Sequence, residues 1–225
     1  MEKFKDDIEK IVKELGGTFT GFSYVQEKLP QKLKAYPYAV TVGIHLSEAI
    51  IDEIDDKPTF TYFNHYRSVN SLIDQILLRI VLYLQDCGYK AYSIPASQSI
   101  PDSDIPFSAV FPHKTAAVRA GLGWIGKNGL FISSRYGPRV RLGTILTDAQ
   151  LPVTDEVLES RCGSCRKCVE SCPAMALTGN CWKDGCERER VVDAKACSEY
   201  MNKHFKHIGR GSVCGICIKV CPRTC

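Results

Sequence analysis

Cys162-Gly163-Ser164-Cys165-Arg166-Lys167-Cys168-Val169-Glu170-Ser171-Cys172-Pro173 spaces four cysteines by two, two and three residues and ends on Cys-Pro. A cubane cluster needs a thiolate on each of its irons, and two-residue gaps let one tight loop offer three sulfurs to neighbouring corners. The fourth sulfur comes from elsewhere in the chain. Zinc sites show two separated Cys or Cys/His pairs, so three successive cysteines ending on Cys-Pro suit a single tetrahedral ion poorly. A disulfide framework belongs to short secreted chains, whereas this sequence starts with the charged run Glu2-Lys3-Phe4-Lys5-Asp6-Asp7 and an amphipathic pattern, not an apolar leader. The expected compartment is therefore reducing and cytoplasmic.

Outward from this stretch, a second motif follows: Cys214-Gly215-Ile216-Cys217-Ile218-Lys219-Val220-Cys221-Pro222. In two-cluster ferredoxins the cysteine before the proline ligates the other cluster, which makes such a pair one unit. The two motifs resemble each other as the halves of a bacterial ferredoxin do. Residues 161–225 carry twelve Lys/Arg against six Asp/Glu, a net +6 that leaves the rest of the chain at −2. Compensation of negatively charged thiolate clusters accounts for that balance, and no arginine-rich stripe with interleaved aromatics points to nucleic acid.

The 225 residues, 44% hydrophobic, suffice for one large or two modest soluble domains. The longest apolar run, 76–84, is interrupted by Arg79 and is too short to cross a bilayer, so no membrane partner is expected. Before the cysteines the periodicity predicts an α+β arrangement. Helices are expected over 4–15 (Ile8, Ile11, Val12 and Leu15 on one face), over 66–87 (Leu72, Ile73, Ile76, Leu77, Ile80, Leu84) and over 113–120. Strands are expected over 18–25, 38–44, 92–95, 130–133 and 140–147, with Cys87 as a packed thiol. The division is drawn at 153/154: residues 1–153 form an α+β cofactor or substrate domain, residues 154–225 the cysteine-rich module.

Gly121-Leu122-Gly123-Trp124-Ile125-Gly126-Lys127-Asn128 matches the spacing of dinucleotide and phosphate-binding loops. Those loops run from strand to helix, however, and here a helix precedes and a strand follows. The glycines have two readings: a helix stop and tight turn in which Trp124 packs, or a close approach of backbone to a bulky cofactor.

With Arg119-Ala120 before it, the Gly121 to Asn128 stretch is followed by Leu142-Gly143-Thr144-Ile145-Leu146-Thr147-Asp148 and then by the cysteine pattern. Together these residues resemble the epoxyqueuosine reductase family, iron–sulfur and cobalamin enzymes related to the corrinoid-dependent reductive dehalogenases. The resemblance covers roughly residues 110–222 and implies a nitroreductase-like, corrinoid-reductase-like N-terminal domain ahead of a two-cluster ferredoxin-like module. It implies that Cys162, Cys165, Cys168 and Cys221 hold one 4Fe-4S cluster, and Cys172, Cys197, Cys214 and Cys217 the other. Cys197 enters through Cys197-Ser198-Glu199-Tyr200, which is similar to a family segment and completes the three-cysteine second motif.

A cobalamin cofactor is likewise implied, with Gly121, Gly123, Trp124, Gly126, Lys127 and Asn128 shaping its cleft and His65 and His113 as the histidines placed to line it. The sequence departs from the family in three respects. The family's acid is an aspartate fourteen residues before the first glycine of the turn, where this chain has Phe107, leaving Asp102 and Asp104 as substitute proton donors. The sequence stops at Cys225, where RNA-modifying members continue, so recognition of nucleic acid is not expected. The stretch between Cys172 and Cys197 adds Cys181 and Cys186, read as spare thiols along with Cys225.

The function expected is that of a cytoplasmic iron–sulfur oxidoreductase. A donor such as flavodoxin or ferredoxin reduces the clusters, which pass electrons to a corrinoid or small-molecule substrate in the N-terminal domain. The alternative is a dedicated ferredoxin-type carrier, or a protein that reduces the cobalamin of a partner.

Overall fold

A computed structural model describes residues 2–97, 107–154, 156–209 and 213–223. In chain order its elements are α1 (Glu2–Glu14), β1 (Phe19–Tyr24), β2 (Tyr38–His45), α2 (Glu48–Asp52), α3 (Phe60–Asp86), β3 (Ala91–Ile94), α4 (His113–Arg119), β4 (Gly123–Ile125), β5 (Phe131–Ser133), β6 (Val140–Thr147), α5 (Lys167–Glu170), α6 (Ala194–His204), α7 (Lys206–Gly209) and α8 (Ile216–Lys219). These residues gather into two compact units. One is formed by 1–45, 69–122 and 141–158, the other by 46–68, 123–140 and 159–225.

The first unit is built on a four-stranded sheet of order β1-β2-β6-β3. β1 pairs antiparallel with β2, Phe22 opposite Val40, and β3 pairs antiparallel with β6, Ser93 opposite Ile145. Strand β2 reads as an almost unbroken apolar run because it is an inner strand, with Ala39, Val40 and Val42 excluded from solvent. In α3, Ile73, Ile76, Leu77, Ile80 and Leu84 are buried in one stripe at helical spacing, while Leu78 and Leu82 on its other side stay exposed. Each such Ile or Leu removes enough apolar surface from water to contribute roughly 1.5–3 kcal/mol.

α3 starts at Phe60, six residues before the start expected from its apolar stripe. Thr59 sets that start: its Oγ1 accepts the Tyr62 N–H at 3.0 Å and its carbonyl the Phe63 N–H at 3.1 Å. The helix ends at Asp86, so Cys87 falls in the following turn and is exposed, not the packed thiol expected.

The second unit contains the β4–β5 hairpin, the short helices α2, α5, α7 and α8, and the capped helix α6, whose Asp193 accepts the Ala196 N–H at 2.9 Å. The hairpin pairs Gly123 with Ser133, Trp124 with Ile132 and Ile125 with Phe131. β4 was not expected, because a three-residue strand between glycines carries little propensity of its own. Its pairing requires Gly123, since a Cβ there would stand 2.0 Å from the Ile132 carbonyl oxygen.

Candidate metal centre

Both cysteine motifs fold alike. In the first, the Cys165 N–H donates to the Cys162 carbonyl at 3.1 Å and closes the loop, α5 carries Cys168 at its second position, and Cys172 follows just past the helix end. In the second, α8 carries Cys217 at its second position and Cys221 follows at the same distance along the chain. Gly215, between Cys214 and Ile216, takes φ +84, a conformation that L side chains rarely adopt, with Ile54 and Tyr62 packed against it.

The thiols gather into two sets. Cys168 is pushed up to about 11 by burial and by the neighbouring Cys221, Cys162 and Cys165, and Cys221 is raised by burial and by Cys162 and Cys165. Cys214 is pushed up to about 11 by burial, with Cys197 and Cys172 adding to it, and Cys197 is raised by burial and by Cys172. Cys217 is raised furthest, by burial and by Cys214, Cys197 and Cys172, with a smaller contribution from Cys168 of the other set. Crowding and burial thus keep these thiols protonated, and a metal must displace their protons to bind.

Cys162, Cys165, Cys168 and Cys221 line one hollow of about 360 Å³, mouth included, together with Lys127, Asn128, Ile132, Pro222 and Arg223. Four free thiols around one hollow fit a cubane, whose thiolates each take a different iron. Among the described residues no group of three or more His, Cys, Asp or Glu is arranged for a single ion.

The hairpin tip holds both cysteine loops. Lys127, only 7% exposed, donates from Nζ to the carbonyls of Gly163 at 2.8 Å and Cys165 at 3.2 Å. Asn128 donates from Nδ2 to the Cys217 carbonyl at 3.4 Å, and its Oδ1 accepts the Leu130 N–H at 3.1 Å. Trp124 is buried beneath, with the Arg161 guanidinium 5.6 Å from its ring centroid. Gly126 accepts the Gly129 N–H and donates to Leu130 across the turn, while Gly121 follows the end of α4.

The remaining candidates lie elsewhere. His113 sits between Thr144 Oγ1 (2.9 Å from Nδ1) and the Pro95 carbonyl (3.0 Å from Nε2), so both ring nitrogens are engaged. Burial pushes it down to about 4. His65 accepts the Ser47 N–H on Nε2 at 3.0 Å, and burial lowers its pKa. Phe107 is 52% exposed at φ 58. Asp102, Asp104 and Cys225 lie outside the described residues. Cys181 and Cys186 are free and half-buried, the Lys183 N–H lying 3.5 Å from the Cys186 sulfur. His204 ends α6 and His207 lies in α7 beyond Phe205.

Sequence reasoning missed a charged network in the second unit. Buried Arg139 binds Glu48 and Asp52, and Lys219 of α8 also binds Asp52 at 2.8 Å. Nothing in the residue pattern announces a contact across such sequence separation. No helix of the described residues is long and apolar enough to cross a membrane.

The fold and the paired cysteine loops define a two-cluster iron–sulfur protein, and residues 161–224 match the 4Fe-4S double cluster binding domain. The chain is related to the epoxyqueuosine reductases. The enzyme of Synechococcus sp. (strain RCC307) is 31% identical over 176 residues, 73% of this chain and 48% of its own length. That of Vibrio cholerae serotype O1 is 34% identical over 125 residues, 51% of this chain and 31% of the relative. The chain thus spans about half or less of these two relatives.

Among solved structures, a reductive dehalogenase described with a mechanism for B12-dependent dehalogenation superposes with a TM-score of 0.76 at 21% identity, over 96% of this chain and 31% of that one. Epoxyqueuosine reductase from Streptococcus thermophilus superposes at 0.62 and 21% identity, over 97% and 65%. The chain shares their fold: mixed helix and sheet with a ferredoxin-like C-terminal module.

Proposed function

We propose that the chain is an oxidoreductase that carries electrons through two 4Fe-4S clusters to an acceptor held by residues 1–153, with 154–225 as the relay. The hollow lined by Cys162, Cys165, Cys168 and Cys221 is the observation that carries this reading, and the mutual influence of Cys172, Cys197, Cys214 and Cys217 supports it. Cys162, Cys165, Cys168 and Cys221 hold one cluster, and Cys172, Cys197, Cys214 and Cys217 the other. When bound, the clusters supply one-electron steps whose potentials depend on charge, hydrogen bonding and burial. The protein's own part is to hold the thiols half-buried and to fix both loops through Lys127 and Asn128.

A corrinoid is the acceptor suggested by the relatives and by the B12-dependent dehalogenase of like fold. The side chains named for it fit poorly: His113 has both nitrogens engaged, and Lys127 and Asn128 hold cysteine-loop carbonyls. The second reading, a dedicated carrier reduced by flavodoxin or ferredoxin, is favoured by Phe107 in place of the family's acid. An epoxyqueuosine reductase has been seen with a tRNA stem loop, so RNA is a further substrate class to assay.

Anaerobic reconstitution should give about eight irons per chain, and about four or fewer would sink the two-cluster reading. Titration with cob(II)alamin, followed by electron paramagnetic resonance, then separates the acceptors. A changed cobalt signal supports the corrinoid, and an unchanged one with intact clusters supports the carrier.

A further inference from the structure

The geometry points to Lys127 as a positioning residue whose charge raises the reduction potential of the cluster on Cys162, Cys165, Cys168 and Cys221. The inference rests on the proposed cluster assignment and deepens it. Lys127 lines the hollow those four cysteines form, is 7% exposed, and places two of its three N–H donors on the Gly163 and Cys165 carbonyls. Among the described residues no carboxylate pairs with it.

A buried ammonium without a counter-ion is costly, and carbonyl dipoles offset only part of that cost. The missing anion is a thiolate-ligated cluster, which carries net negative charge and fills the space beside this side chain. Reduction adds one electron to the cluster, so a fixed cation nearby stabilises the reduced form more than the oxidised form. Arg223 also lines the hollow, but it is exposed and its Nη2 donates to the Arg161 carbonyl at 2.8 Å. Water screens that charge, so its influence is smaller.

The reading in which Lys127 only staples the loop is separable from this one. Lys127→Met removes the charge and both bonds, Lys127→Gln removes the charge but keeps a donor, and Lys127→Arg keeps the charge. Each is reconstituted anaerobically, assayed for iron, and titrated by electron paramagnetic resonance.

In both neutral variants one of the two midpoints should fall by at least a tenfold change in the reduced-to-oxidised ratio, about 59 mV for a one-electron couple. The other midpoint should stay in place, and Lys127→Arg and Arg223→Gln should shift clearly less. Unmoved midpoints in fully loaded neutral variants overturn the inference. So does loss of that one cluster from both neutral variants, which assigns the residue to loop stapling alone. About four irons or fewer in the unsubstituted protein overturn the cluster assignment itself, and that is read before any variant is made.

Discussion

Replacing Gly123 by Ala tests whether the β4–β5 hairpin is what holds the cysteine loops. The new Cβ would stand 2.0 Å from the Ile132 carbonyl oxygen and 2.9 Å from Phe131 Cζ, whereas ordinary contact begins at 3.4 Å. The obstacle is backbone paired in the same ladder, so no rotamer change relieves it and the strands must part. Overpacking of this kind costs about 3 kcal/mol at the upper end of its range. Loss of a ladder bond adds about 1 kcal/mol, and the lower entropy of an unfolded chain with Ala returns about 0.5 kcal/mol. With a urea slope near 2 kcal/mol/M, a net cost of about 3.5 kcal/mol lowers the unfolding midpoint by roughly 1.8 M.

The same displacement carries the hairpin tip away from its partners. Lys127 reaches the Gly163 and Cys165 carbonyls at 2.8 and 3.2 Å, and both bonds fail when stretched by another ångström or more. The assay is urea unfolding of anaerobically reconstituted protein by tryptophan fluorescence, with iron content measured in parallel. A midpoint within about 0.3 M of the parent, with unchanged iron, would refute the argument.

Cys197→Ser should remove or convert one cluster and leave the other's spectrum intact; retention of both unaltered would pass the ligand role to Cys181 or Cys186. Asn128→Ala strips the Leu130 N–H of its acceptor and should cost about 1 kcal/mol by urea unfolding, with iron lost first from the Cys214–Cys217 side. No loss of stability would mean the turn holds without its side-chain bond. His113, pushed down to about 4, lends stability that is complete above its unfolded value near 6.5 and is lost as pH falls toward 4. His113→Gln should flatten the stability profile over that window, and a His113 resonance titrating near 6.5 would contradict the buried neutral ring.

Much of this architecture is written in local pattern. The cysteine spacing reveals the double-cluster domain because each gap is a geometric demand of the cubane. The stripe of α3 is visible because it buries one face, yet its true start depends on Thr59 and not on that stripe. Lys127 and Asn128 were less readable. A glycine-rich turn suggests room for a cofactor, and only the fold places its tip against carbonyls 36 and 89 residues further along the chain. A lysine and an asparagine in an otherwise apolar turn are the only signal, and it does not name the partner. The exposure of Cys87 was misread for a related reason: helical phase places it on the last turn, but the helix ends one residue earlier.

The second unit draws on residues 46–68, 123–140 and 159–225, and this bears on how the protein is made. Ile54 and Tyr62 wait for Gly215, and Asn128 for the Cys217 carbonyl, so nascent chain must leave the ribosome almost to its last cysteine motif before the unit can close. Until then apolar side chains and free thiols are exposed together.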